Sequence, residues 1–207
     1  MTLDFQAMPR IKRRRELDWL AERWETSLLG TATAVLVEAA AGMGKSTLIS
    51  SFLEDERVRE KALICCGKFE ERTAAQQPFA AIIEATDALM ERILHSGEGS
   101  KWGRRIRDSL DVEMDLLKEL FPSFQGIIKA SRRMSGSTAT LTDSEFYFDG
   151  FGNMTDKEWR FERLRLAIRA LFRCLAYYSP VIFCLDDLQW VDPDSLVLIQ
   201  TLILDQK

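Results

Sequence analysis

Apolar side chains recur along this chain at both helical and strand periods, which predicts a mixed α/β fold. Ile11, Leu17, Leu20 and Trp24 form a stripe among charged residues and predict a helix from about Glu16 to Ser27, ended by Gly30. The apolar run at 33–38 reads as a first strand and 45–55 as the helix after it. Glu54 to Lys61 reads as a charged linker. Ala62 to Cys66, with Phe69 close by, reads as a second short buried strand.

Pro78 suits a helix start, and Ile82, Ile83, Ala85, Leu89 and Ile93 follow at helical spacing until Gly97 and Gly99 interrupt them. Trp102, Ile106, Leu110, Met114, Leu117 and Phe121 predict one helix over 102–119 that Pro122 ends or kinks. Residues 131–157 are polar, small and without period, and read as a flexible exposed loop. It carries the kinase-acceptor-like Arg132-Arg133-Met134-Ser135 and an aromatic patch, Phe146-Tyr147-Phe148, expected to tuck back onto the body. Phe161, Leu164, Ile168, Leu171 and Leu175 predict a strong amphipathic helix over 157–178. Arg165, Arg169 and Arg173 on it read as a solvated face. Val181 to Leu185 reads as a strand, and a last helix starts near Asp194.

The chain has 207 residues, 46% of them hydrophobic, enough for one sizeable α/β domain. Its net charge of −4 does not favour nucleic acid or an anionic membrane surface. No apolar run approaches the roughly 20 residues a membrane helix needs, and Met1 to Pro9 lacks the apolar segment of a signal peptide. Cys65, Cys66, Cys174 and Cys184 lack metal spacing and predict buried reduced thiols, hence the cytoplasm, with the nucleus left open. Cys65 and Cys66 should face opposite sides of their strand. The lone His95 falls at a helix end, where capping duty is expected.

The chemistry concentrates in two segments. Val35-Leu36-Val37-Glu38 enters Ala39-Ala40-Ala41-Gly42-Met43-Gly44-Lys45-Ser46-Thr47, the layout of a phosphate-binding P-loop. Glycines let the backbone turn tightly and point N–H groups inward, where the following helix start adds its own. Backbone groups from Ala41 through Thr47 would cradle phosphate, Lys45 would reach the β- and γ-phosphates, and Ser46 would offer its hydroxyl to Mg²⁺. The motif wants glycine at 39, where this chain has Ala39. If φ there had to be positive, Ala39 would cost on the order of 1 kcal/mol.

Val181-Ile182-Phe183-Cys184-Leu185 ends in Asp186-Asp187, the pattern of a central parallel strand buried on both faces with acids at its C-terminal end. Asp186 would hold Mg²⁺ opposite Ser46. Asp187, with Gln189, would position the attacking water.

Leu185-Asp186-Asp187-Leu188-Gln189-Trp190-Val191-Asp192-Pro193-Asp194-Ser195-Leu196 closely resembles the Walker B segment of origin-recognition-complex-like AAA ATPase domains, a branch of the signal-transduction (STAND-type) ATPases. Arg13-Arg14-Arg15-Glu16-Leu17 is similar to the family's entry motif, with Lys12 in place of its glycine. Ala41-Gly42-Met43-Gly44-Lys45-Ser46 resembles its loop, and Gly67-Lys68-Phe69-Glu70 with Gln77-Pro78-Phe79 a further segment. The resemblance implies a P-loop NTPase three-layer α/β/α parallel sheet, with a helical insertion between the second strand and the Walker B strand. It also implies ATP and Mg²⁺ as ligands, an adenine-side role for Arg13, and Trp190 as a core anchor beside the site. In the family a later strand separates the P-loop strand from the Walker B strand. That strand, the sensor and the helical lid have no counterpart here, so residues 1–207 are expected to be the N-terminal portion of such a domain, a fragment of a longer protein.

The function expected is an ATP/Mg²⁺-binding regulatory module that hydrolyses ATP in the full-length protein or assembly. Its expected partners are ATP, other domains of a longer polypeptide and self-association. Alternative readings are a nucleotide-gated scaffold without hydrolysis, a DNA- or origin-associated ATPase, and a small-molecule kinase. The negative charge speaks against the DNA reading and the Asp-Asp-Leu-Gln-Trp segment against the kinase.

Overall fold

In the computed structural model of the chain, residues 13–71, 78–110, 113–132 and 156–204 are described. They group into two compact units, one running to Glu60 and one from Lys61 to Asp205. Most of the loop expected at 131–157, with Ser135 and the aromatic patch, lies outside the described residues.

The first unit holds α1 (Arg14–Ser27), α2 (Lys45–Leu53) and α3 (Glu56–Arg59). α1 buries Leu20 and Trp24, four residues apart on one face, and packs on α2, which buries Leu48. The expected charged linker contains a helical turn. Asp55 caps α3 by accepting the Arg57 N–H at 3.0 Å, and Val58 is buried beneath it. The strand expected at 33–38 does not form, and Leu36 is 75% exposed. A strand is stable only when its N–H and C=O groups meet a neighbour's. Among the described residues, the two strands that form pair with each other.

The second unit is built on that two-stranded parallel sheet, β1 (Leu63–Lys68) beside β2 (Val181–Asp186). Its register runs from Leu63 opposite Val181 to Lys68 opposite Asp186. Parallel neighbours need a crossover, and here it contains α4 (Ala80–His95), α5 (Gly99–Ser109), α6 (Met114–Leu120), α7 (Pro122–Arg132) and α8 (Asp156–Tyr178). α9 (Pro193–Leu204) follows β2. α4 lies against β1 so closely that a Cβ on Gly67 would come within 2.8 Å of the Ala81 carbonyl oxygen. The core is the apolar stripes of these helices, with Ile82, Met90, Ile106, Phe124, Ile168 and Leu171 fully buried.

Three expectations change here. The single helix over 102–119 is two, α5 and α6, separated at Leu110, whose backbone is extended (φ −122°, ψ 132°). Leu110, Leu117 and Phe121 are still buried, so one apolar stripe is served by two helices. Pro122 starts a helix as well as ending one. It is the first residue of α7, where its missing N–H removes nothing. β2 is half-buried at all six residues. It pairs along one edge only among the described residues, with Phe183 stacked edge-on against Phe172. Among the described residues, no helix is long and apolar enough to cross a membrane.

Candidate functional site

The glycine-rich candidate loop lies in the first unit. Gly42 (φ 77°) and Gly44 (φ 76°) both take left-handed backbone, with nothing within 4 Å of where a Cβ would sit. A side chain at either would be strained, so the turn needs glycine at these two places. Among the described residues, the non-glycine residues of positive φ are Phe79 and Asp187 and not Ala39, so the missing first glycine brings no strain. Gly44 is the N-cap of α2 and offers its first turn no side-chain acceptor. Ala41, Ser46 and Thr47 are placed around that turn, and all three are exposed.

The Lys45 ammonium donates to the carbonyl oxygens of Ala39 at 2.7 Å and Ala40 at 3.2 Å, closing the loop around a cation. Met43 takes part in the turn's own hydrogen bonding. Its N–H donates to the Ala40 carbonyl at 3.3 Å, and its own carbonyl accepts from the Arg13 guanidinium. The structure thus places Arg13 on the loop itself. Open glycine backbone, an uncapped helix start and a lysine inside the loop form a donor set that fits a polyphosphate.

The candidate acidic pair lies in the second unit, at the end of β2. Asp186 is the last strand residue, and its Oδ1 accepts the Asp187 N–H at 2.9 Å. Asp187 has φ 55° and ψ 44°, a left-handed conformation that aspartate tolerates better than most residues. Its carbonyl accepts the Trp190 N–H at 3.0 Å, which winds Leu188–Trp190 into a 3-10 turn. Its carboxylate receives Gln189 Nε2 on Oδ1 at 3.0 Å, and Lys68 Nζ lies 3.4 Å from Oδ2. Trp190 is 39% exposed, not the core anchor expected of it. Asp192, itself buried, accepts both the N–H (2.8 Å) and the hydroxyl (2.5 Å) of Ser195 and so caps α9.

Lys68 is a partner of Asp187 that the linear sequence conceals. It belongs to a different strand from Asp187 and meets it only through the parallel register that sets Lys68 beside Asp186. Among the described residues, no group of three His, Cys, Asp or Glu could hold a metal ion. Mg²⁺ does not need one, since it binds through one or two protein oxygens plus substrate phosphates. Ser46 and Asp186 are of that donor type.

The thiols divide sharply. All four are free. Cys65 is fully buried, and burial pushes its thiol up to about 12. Cys66 is exposed on the opposite face, and the hydrogen bond from the Cys184 thiol lowers it to about 7. That same bond pushes Cys184 up. Buried thiols were expected throughout, and Cys66 departs from that. His95 ends α4 with Nδ1 2.8 Å from the Glu91 carbonyl oxygen, the capping position expected of it.

A family model described as "AAA ATPase domain" matches residues 11–207. A hybrid signal transduction histidine kinase, kinase G of Dictyostelium discoideum, is 25% identical over 194 residues. That stretch is 92% of this chain and 5% of the relative's length. No solved structure matches the chain. The loop and the acidic pair both fall inside the range of the family match, and this chain belongs to the AAA ATPase domain family, an ATPase-type nucleotide-binding module.

Proposed function

We propose that the chain is an ATP- and Mg²⁺-binding regulatory module of the origin-recognition-complex-like, signal-transduction branch of these ATPases, hydrolysing ATP within the full-length protein or assembly. One observation carries the reading: two left-handed glycines flank Met43 directly ahead of Lys45, the first residue of α2. N–H groups of Gly44, Lys45, Ser46 and Thr47 bind phosphate oxygens, with the backbone of Ala41, Gly42 and Met43 shaping the turn. The Lys45 ammonium exchanges its two loop carbonyls for phosphate oxygens. Ser46 and Asp186 would hold Mg²⁺, which when bound neutralises phosphate charge. Asp187 orients the attacking water. The likeness to a stretch of a signal transduction kinase supports a regulatory setting, with other domains of a longer polypeptide and self-association as its contacts.

The test is calorimetric titration with Mg·ATP, followed by phosphate-release assays. Lys45→Ala should weaken binding about 10- to 100-fold, the worth of charge-assisted hydrogen bonds. Asp187→Asn keeps a residue that tolerates left-handed backbone, so it should leave binding intact and abolish phosphate release measured in the full-length protein or assembly. Unchanged affinity in Lys45→Ala would overturn the proposal.

A second reading, a nucleotide-gated scaffold without hydrolysis, has one observation in its favour. Both carboxylate oxygens of Asp187 are engaged, one by Gln189 and one by Lys68. Mg·ATP binding with phosphate release equal in the wild type and Asp187→Asn of the full-length protein or assembly would select it.

A further inference from the structure

We propose that Cys66 and Cys184 are a peroxide-responsive dithiol, which a hydroperoxide converts to a disulfide clamping β1 to β2 beside the Asp186–Asp187 strand end. Cys66 and Cys184 are register partners on adjacent parallel strands, so their side chains leave the same face of the sheet. Neighbouring strands lie roughly 4.8 Å apart, inside the Cα separation of about 4.4–6.8 Å that disulfides span. Cys66 is exposed and Cys184 half-exposed, so an oxidant reaches the pair from solvent. Cys65 and Cys174 are buried, Cys65 on the opposite face of β1 and Cys174 on α8, so neither competes for Cys66. A solvent-accessible thiol next to a second thiol that can resolve it is the arrangement of a redox sensor.

The chemistry balances with a hydroperoxide as the oxidant. The Cys66 thiolate attacks the outer peroxide oxygen and the O–O bond breaks. Cys66 becomes a sulfenic acid, and the departing alkoxide or hydroxide takes up the proton Cys66 gave to solvent. Cys184 then attacks the sulfenic sulfur, the S–S bond forms, and the sulfenic oxygen leaves as water with the Cys184 proton. Two thiols are oxidised by two electrons, and one O–O bond is reduced. The link lies two residue pairs before Lys68 and Asp186, so it ties together the strand ends from which Lys68 and Asp187 meet. The dithiol stands whether or not the P-loop binds a nucleotide.

The test is hydrogen peroxide treatment of the 207-residue chain, followed by intact mass and non-reducing peptide mapping. The expected result is a monomer that has lost two hydrogens, with the Cys66 and Cys184 peptides cross-linked and released by dithiothreitol. Cys184→Ser should stop at a Cys66 sulfenic acid that dimedone traps, and Cys66→Ser should give neither product. The wild-type map needs no variant to fold. Cys66 passing to sulfinic acid while Cys184 stays a free thiol, a Cys66–Cys66 link between chains, or no oxidation of either thiol would each overturn the proposal.

Discussion

Ala39 and Gly44 sit in one loop under different constraints. Gly44 is left-handed and Ala39 is not. Gly44→Ala forces an L side chain into a region that costs about 1–2 kcal/mol, and should weaken Mg·ATP binding by about 10-fold through distortion of the turn. Ala39→Gly restores the missing glycine, yet should leave affinity unchanged in the same titration, because no strain is relieved. A large gain from Ala39→Gly would mean that the bound loop needs positive φ at 39. The acidic pair was legible in sequence because two adjacent acids directly after an apolar β-branched run mark the carboxyl end of a strand, where parallel sheets bind their ligands. The left-handed turn at Asp187 and the reach of Lys68 were not, since both depend on strand register. Cys66 likewise reads in sequence as one of two adjacent thiols, and only the register sets Cys184 beside it. Its lowered thiol is ionised above about pH 7 and protonated below. Iodoacetamide labelling of Cys66 should therefore rise through pH 7 and level off near pH 8, while Cys65, buried and pushed up to about 12, stays unlabelled. A Cys66 profile still climbing at pH 9 would remove the Cys184 hydrogen bond as its cause.

The helices were mostly visible as stripes, because burial on one face repeats at their own period. α4, α8 and α9 fall close to their expected places, and the stripe from Trp102 to Phe121 is buried as read except at half-buried Met114. What periodicity could not show is where a buried stripe passes from one helix to the next, as it does at Leu110. Nor could it show that Pro122 opens α7, since proline suits both the residue after a helix and the first residue within one. The structure supplies α7 with a cap from another element. Asp87 of α4 accepts the Ser123 N–H at 2.9 Å and the Ser123 hydroxyl at 3.1 Å. Losing an N-cap carboxylate costs about 0.5–2 kcal/mol, and this one also ties α4 to α7. Asp87→Ala should lower stability by about 1–2 kcal/mol in urea unfolding, and Asp87→Asn, which keeps one acceptor oxygen, by less. Equal stability of wild type and Asp87→Ala would show that the α4–α7 contact rests on apolar packing alone. The strand at 33–38 failed for the opposite reason to α7. Its apolar pattern was correct for a strand, but pattern supplies only half of a ladder.

The two compact units differ most in how much apolar surface they bury. Among the described residues, the first buries Leu20, Trp24, Leu48 and Val58, whereas the second assembles a cluster of twenty-four buried side chains. Opening free energy follows buried apolar contact, so the P-loop sits on the less stable unit. Native-state hydrogen exchange should show α1 and α2 exchanging at least about 100-fold faster than α4, α8 and β1. A ligand that binds only the closed form stabilises it in proportion to the logarithm of its excess over Kd. At 100 times Kd that is about 2.7 kcal/mol, or roughly 100-fold slower exchange. Mg·ATP should therefore concentrate its protection in the loop and the first two turns of α2, and Lys45→Ala should remove it. Ordering of a weakly held element by a nucleotide is a route by which binding becomes a signal. α1 and α2 amides already as slow as those of α4 without nucleotide would leave binding nothing to order, and this unit could not then act as a switch by that route.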